Sequence, residues 1–164
     1  MDTSGAPTRL VIGSLRIDLP VVRLPASGIH YCGVALWWAY PGFVTPGRAG
    51  SVYLLAHSRA GMFLPLLDAS LVDGGRSLLG LTVQLYTSAD WVFTYRISAV
   101  HRHVTPSGTT RLRAPLAATD AELWLQTSEG PSTTSPYLQV ASGLLGGART
   151  DHITANPTPR PYLC

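Results

Sequence analysis

Hydrophobic positions along this chain fall into many short runs separated by turn residues. Residues 123, 125 and 127 alternate with Trp124 and Gln126, the period-2 pattern of a strand with two different faces. Val52 to Leu55 form an unbroken apolar run, which is typical of a strand covered on both faces. Helical periodicity is scarce, so the pattern predicts an all-β barrel or sandwich.

Further strands and connections follow from the same pattern. Strands are predicted at Leu10 to Ile12, Leu15 to Val22, Leu81 to Thr87, Trp91 to Val104 and Tyr137 to Ala141. The third and fourth of these form a hairpin about Ser88-Ala89-Asp90. Val34 to Tyr40 is interpreted as a short helix or a packed apolar segment, and Thr105 to Thr119 as a long loop. We expect one domain over residues 9–145, between a flexible N-terminus (1–8) and a flexible C-terminal tail (146–164).

Composition narrows the class of protein. The 164 residues are 46% hydrophobic and 13% charged, which favours one ordered domain over a disordered chain. The net charge is +3, and the twelve basic residues are all arginines without runs, so nucleic-acid binding has little support. No apolar run is long enough to span a membrane, and the N-terminus lacks a signal-peptide pattern.

The chain contains two cysteines, Cys32 and Cys164. Cys164 is the last residue and follows a segment that we expect to be irregular, so a disulfide between the two is not predicted. No Cys/His spacing matches a zinc site, and the sequence indicates neither a metal nor a cofactor.

A lone histidine, His57, follows the buried strand that ends near Leu55, and small and turn residues come after it. A titratable imidazole at the end of a rigid strand is a common way to support a reactive group. The alternative is a histidine that only caps the strand end.

A second strand tip carries a hydroxyl. The strand over residues 121–128 ends in Thr127-Ser128, and Glu129-Gly130-Pro131 opens a loop rich in Ser, Thr and Pro. The chain therefore offers one strand that ends in His and another that ends in Thr-Ser.

These landmarks resemble those of sortases, the cell-wall transpeptidases, and most closely the class D and E type. The resemblance rests on Leu-Leu-Ala-His, Phe-Leu-Pro-Leu-Leu-Asp, Leu-Gln-Thr-Ser and Tyr-Leu-Gln-Val-Ala, in that order, within Leu15 to Ser142. In that family one strand ends in the catalytic His, a later strand ends in Thr-Cys with Cys as nucleophile, and an Arg that stabilises the oxyanion begins the next strand. The resemblance implies a closed β-barrel of about eight strands with short helices and long loops. It also implies the extracellular face of the cell membrane, with a membrane tether outside this chain.

Two of the three catalytic positions depart from the family pattern. His57 matches, but Ser128 stands in the place of the Cys, and Tyr137 (or Pro136) in the place of the Arg. A thiolate is a far better nucleophile than a neutral hydroxyl at neutral pH. Losing one oxyanion-hole donor costs a further factor of about 10²–10³ in rate. We therefore expect a sortase-like protein without standard transpeptidase activity.

Such a protein would still bind a peptide or cell-wall component in its cleft. Thr127, Glu129 and Trp38 are the predicted binding residues, because two of them flank Ser128 and an exposed tryptophan suits peptide binding. The segment Leu24-Pro25-Ala26-Ser27-Gly28 resembles the Leu-Pro-x-Thr-Gly sorting signal, but a connection between strands is the preferred interpretation.

Other functions remain open. Ser128 could act as the nucleophile of a noncanonical transpeptidase or hydrolase, with His57 as its base and Glu129 orienting the imidazole. Cys32 would supply a thiol if its loop lay over the cleft. An engineered Cys→Ser sortase would explain Ser128 but not Tyr137, and a structural domain with an incidental cleft is a further alternative.

Overall fold

Eight strands close into a barrel in the computed structural model, which describes residues 4–164. The strands are β1 (Pro7–Ile12), β2 (Ile17–Arg23), β3 (Ala35–Trp37), β4 (Gly50–Leu55), β5 (Thr82–Thr87), β6 (Trp91–Val104), β7 (Ala121–Ser128) and β8 (Tyr137–Arg149). Their order around the barrel is β1-β2-β3-β4-β7-β8-β6-β5, and β5 pairs with β1 to close it. The predicted closed barrel of about eight strands is confirmed, as is the β5–β6 hairpin.

Helices are few and short. They are α1 (Leu64–Ser70), α2 (Thr110–Ala117) and α3 (His152–Ala155), with 3-10 turns at Gly13–Leu15 and Asp73–Leu78. Among residues 4–164, no helix combines the length and the hydropathy that crossing a bilayer would require.

The central strands β4 and β7 are buried on both faces. Val52, Leu54, Leu123 and Leu125 point into the barrel, where they join the main core. The alternate residues Tyr53, Leu55 and Trp124 lie on the outer face. There they form a second apolar cluster with Val34, Leu36 and Ala141. This double coverage explains the unbroken apolar run in β4.

The pairing of β4 with β7 fixes the position of their tips. The two strands are parallel, and Leu54 pairs with Leu125 and Leu55 with Gln126. One step further, the Ala56 N–H donates to the Gln126 carbonyl at 3.1 Å. The buried Thr127 hydroxyl donates to the Ala56 carbonyl at 2.8 Å. His57 and Ser128 therefore leave the sheet at the same level.

Two predictions about connections are corrected. Residues 35–37 form β3, parallel to β2, where a short helix or a packed apolar segment was predicted. The predicted loop at Thr105 to Thr119 contains α2. The turn prediction for Leu24 to Gly28 is confirmed, because the Gly28 N–H donates to the Pro25 carbonyl at 2.9 Å between β2 and β3.

The C-terminal segment has more regular structure than the sequence suggested. Strand β8 continues to Arg149, well beyond the predicted end at Ala141. Helix α3 follows, and the Asp151 side chain caps it by accepting from the Thr154 N–H. Cys32 and Cys164 form a disulfide, which the sequence left possible but did not lead us to expect. At the other end, β1 begins at Pro7, and residues 1–3 of the predicted flexible N-terminus lie outside the described residues.

Candidate functional site

A cleft of about 660 Å³ lies over the tips of β4 and β7. Five of the six predicted site residues line it, namely His57, Thr127, Ser128, Glu129 and Tyr137. Trp38 does not. Apolar side chains of Leu36, Leu55 and Leu67 form part of the wall, and the loop from Gly130 to Thr133 forms a rim.

The His57 imidazole is held by the loop between β2 and β3. Its Nε2 lies 2.8 Å from the His30 carbonyl oxygen. A carbonyl can only accept, so Nε2 carries the proton, and the free lone pair of the neutral ring is on Nδ1. The His30 ring meets the His57 ring edge-on, with 6.2 Å between centroids.

His30 lines the same cleft. Burial lowers the pKa of His30 below its ordinary value of 6.5, and the nearby charges of His57 and Arg111 lower it further. At neutral pH, His30 therefore adds little positive charge to this end of the cleft.

The Ser128 hydroxyl is engaged within its own loop. Its Oγ donates to the Gly130 carbonyl at 2.6 Å. It also accepts from the Gly130 N–H at 3.3 Å. Among the hydrogen bonds of residues 4–164, none joins Ser128 to His57. A base and nucleophile that act together are normally within hydrogen-bond reach of each other, and this pair is directed elsewhere.

Glu129 is paired with a different histidine, so the alternative in which it orients His57 is wrong. Its carboxylate accepts from the His103 N–H at 2.8 Å and lies 2.7 Å from Nδ1 of the same residue. Arg102 Nε is 3.9 Å away. The sequence could not show this partnership, because it depends on a register shift in β6 after His101 and on the left-handed backbone of His103 (φ 58°).

Tyr137 stands directly opposite Ser128 in the β7–β8 pairing. The Arg111 guanidinium lies over its ring, 5.1 Å from the centroid. The same guanidinium lies 5.1 Å from the Trp38 ring centroid. Trp38 is thus packed below Arg111 and edge-on to Tyr53 (5.8 Å), instead of standing exposed beside His57.

A buried polar chain ties helix α2 to the sheet. The Tyr53 hydroxyl donates to Gln126 Oε1 at 2.5 Å. Gln139 Nε2 donates to the Tyr53 hydroxyl and to the Arg111 carbonyl, both at 2.8 Å. Burial is the main reason that the pKa of Tyr53 lies well above 10, so the phenol stays protonated and can donate.

Sequence reasoning missed His30, which lines the cleft, and Arg111, which lies beside it. The case of Arg111 shows why. Arg111 lies in a segment interpreted as a loop, and nothing in its spacing distinguishes it from the other scattered arginines. In the structure, its Nε is buried and has no hydrogen-bond partner. Its charge reaches both His30 and Tyr53, because it contributes to the pKa shifts of both. A guanidinium therefore stands beside Tyr137 although none lies at the start of β8.

Solved structures with the same fold are sortases. The structure of sortase E1 from Streptomyces coelicolor with a tripeptide in the active site has a TM-score of 0.67 and 15% identity, covering 89% of this chain and 91% of that chain. Listeria monocytogenes sortase A has a TM-score of 0.68 and 15% identity, covering 94% and 99%. Sortase C-1 from Actinomyces oris has a TM-score of 0.64 and 19% identity, covering 85% and 73%.

The chain thus has the sortase fold over nearly its whole length. No protein-family model matches the sequence, and no curated protein matches it. At these identities the fold is shared while the chemistry of the site must be argued from its own residues.

Proposed function

We propose that this protein is a sortase-fold protein of the cell surface whose cleft binds an extended peptide or a cell-wall component without standard transpeptidation. The observation that carries the proposal is the state of the two strand tips. The residue at the nucleophile position is a serine whose hydroxyl donates to the Gly130 carbonyl, while His57 donates to the His30 carbonyl. The cleft is formed, but its two reactive groups are not coupled.

The shape and lining of the cleft suit a peptide. Apolar walls from Leu36, Leu55 and Leu67 would take aliphatic side chains. Backbone and hydroxyl groups of residues 127–133 along one rim would take peptide N–H and C=O groups. The structural neighbour from Streptomyces coelicolor holds a tripeptide in its active site, which supports the same class of ligand here.

A positive charge at one side of the cleft favours a ligand with an acidic or carbonyl group nearby. Arg111 has an unpaired buried Nε and stacks on Tyr137, which lines the cleft. A guanidinium held against aromatic rings keeps its fork of N–H donors in a fixed plane. In this proposal, the role of Arg111 in the native protein is to support Tyr137 and to attract the ligand.

Direct binding and turnover measurements test the proposal. A fluorescent peptide containing Leu-Pro-x-Thr-Gly is titrated with the protein, and the same mixture is followed by mass spectrometry. We expect saturable binding and no cleavage or acyl transfer beyond the rate without protein. Cleavage that is lost in His57→Ala would contradict the proposal and favour the enzyme.

Matched variants locate the binding site. Tyr137→Ala removes an aromatic ring stacked under Arg111 within the cleft. Trp91→Ala removes an aromatic ring stacked under Arg149 outside it. We expect about tenfold weaker binding for the first and unchanged binding for the second. Equal effects of the two substitutions would show that the peptide does not use this cleft.

A further inference from the structure

The disulfide lies directly beside the cleft histidine. A ring nitrogen of His57 and the sulfur atoms of Cys32 and Cys164 all lie within 4.8 Å of one another. The Cys164 sulfur is also 3.9 Å from the His30 carbonyl oxygen, the same oxygen that accepts from His57. The last residue of the chain is thus folded back onto the cleft.

The C-terminal segment covers Cys32. Cys32 and Tyr162 exchange two backbone hydrogen bonds, of 2.9 and 3.1 Å. The Tyr162 ring lies against Gly33, where an added Cβ would be 3.0 Å from the ring. As a result, Cys32 is fully buried whereas Cys164 is exposed to solvent.

We propose that Cys32, uncovered when its disulfide with Cys164 is reduced, pairs with His57 as thiolate and imidazolium and is the reactive thiol of this site. A positive charge within about 4–6 Å of a thiol favours the thiolate, which is the nucleophilic form. The thiol that position 128 lacks is thereby supplied from the loop that precedes β3.

The two sulfur atoms have different roles in the reduction. A thiolate of an incoming dithiol attacks the exposed Cys164 sulfur, the S–S bond breaks, and its electron pair leaves on Cys32. The second thiolate of the dithiol then attacks the mixed disulfide and releases Cys164. The dithiol is oxidised to its cyclic disulfide, and the protein gains two electrons and two thiols. Cys32 is the leaving group because the exposed Cys164 sulfur is the one that a reagent can reach, and His57 lies close enough to stabilise the departing thiolate.

Other charges around the pair are few. His30 and Arg111 face it from the preceding loop and from α2. Arg59 lines the same cleft. The Arg111 and Arg59 cations act in the same direction as His57, and the Glu129 carboxylate, which also lines the cleft, acts against it. All three are unchanged in His57→Gln, so this substitution isolates the contribution of His57.

This proposal does not depend on peptide binding, since every measurement in its test uses the protein and small reagents alone. The first measurement starts from the oxidised protein, so it does not require the reduced form to be stable. The rate of disulfide cleavage by dithiothreitol at pH 7 is compared between wild type, His57→Gln and His152→Gln. Glutamine at position 57 retains an N–H that can donate to the His30 carbonyl, and His152 is a control on α3.

We expect cleavage to be about three- to tenfold slower in His57→Gln, because the departing thiolate then loses the stabilisation that His57 supplies, and unchanged in His152→Gln. The second measurement follows iodoacetamide alkylation of Cys32 against pH in Cys164→Ser. We expect an apparent thiol pKa at least about one unit below the 8.5 of free cysteine, returning toward 8.5 when His57→Gln is added.

If circular dichroism shows that Cys164→Ser is folded, the alkylation profile decides the outcome. A thiol pKa at or above about 8.5, or one that His57→Gln does not change, would overturn the proposal. If Cys164→Ser is unfolded, the cleavage rates decide, and equal rates in wild type and His57→Gln would overturn it.

Discussion

His57 and Ser128 stand at matching tips of two parallel strands, yet each side chain donates its hydrogen bond to a nearby backbone carbonyl and not to the other side chain. The register Leu55 with Gln126 brings the tips level. The imidazole then turns to the His30 carbonyl, and the hydroxyl turns to the Gly130 carbonyl. A hydroxyl whose proton is directed at a carbonyl is not prepared to transfer it to an imidazole, so the geometry argues against serine catalysis.

Ser128→Ala tests whether this hydroxyl has only a local structural role. The substitution removes both hydrogen bonds between Oγ and Gly130. We expect the free energy of unfolding to fall by about 1 kcal/mol, measured by urea denaturation. Peptide affinity should change less than twofold, and a fluorophosphonate probe should label wild type and variant equally weakly. Labelling of wild type that disappears in both Ser128→Ala and His57→Ala would instead identify an active serine.

Ser128→Cys tests whether the groove could still support acyl transfer. The Arg111 guanidinium already lies over the Tyr137 ring, opposite position 128. We therefore expect Ser128→Cys alone to restore more reactivity toward a sorting peptide than Ser128→Cys with Tyr137→Arg. In the double variant a second guanidinium would stand beside the first, and like charges repel.

The comparison uses initial rates of peptide cleavage by both variants at one pH, with Ser128→Cys/His57→Ala as the inactive control. A faster double variant would show that Arg111 does not substitute for a residue in β8.

Local patterning predicted most of the strands, because the signal lies in each strand's own residues, whereas the closed barrel was implied only by the family resemblance. The alternation in β7 and the doubly buried run in β4 both depend on residues that are close in sequence. The juxtaposition of His57 and Ser128 was predicted only through the family resemblance, since the parallel pairing of β4 and β7 joins segments far apart in the chain.

Features that depend on distant packing could not be predicted. Arg111 is placed by Gln139, which holds its carbonyl from another strand. The disulfide of Cys32 depends on a C-terminal segment that returns to the β2–β3 loop, and Pro-rich composition suggested a free tail instead. Composition indicates which segments lack periodicity, but not where such segments pack.

The buried phenol of Tyr53 gives a stability prediction. Tyr53→Phe leaves Gln126 Oε1 without its donor and Gln139 Nε2 with one acceptor fewer. Because these groups are buried, we expect the free energy of unfolding to fall by about 1–3 kcal/mol. Tyr40→Phe is the matched control, since the Tyr40 side chain is only half-buried. Equal small losses in urea denaturation would show that the polar chain contributes little.

The lowered pKa of His30 predicts how the stability of the fold depends on pH. Its pKa in the folded protein is lowered from 6.5, first by burial and then by the charges of His57 and Arg111. As pH falls below about 6.5, the unfolded chain takes up this proton before the folded protein does, so the free energy of unfolding decreases. The contribution is complete above that pH and is lost as pH falls toward the folded pKa. The effect is modest, because part of the His30 side chain remains in solvent.

The measurement is the melting temperature of wild type and His30→Gln between pH 5 and pH 8, a window set by the ordinary histidine pKa of about 6.5. We expect a shallower decrease toward acid in His30→Gln. Identical slopes would show that His30 is protonated equally in the folded and unfolded states.

The disulfide gives the largest stability prediction, because it joins residues 132 positions apart. Closing so long a loop restricts the unfolded chain, and removing such a bond costs about 2–4 kcal/mol. Cys164→Ser and Cys32→Ala should each lower the free energy of unfolding by about that amount. The double variant should lose little more than either single variant, since all three lack the same bond. The free energy of unfolding is measured by urea denaturation for oxidised wild type, the two single variants and the double variant. If the losses of the single variants add in the double variant, the two cysteines stabilise the fold through separate contacts.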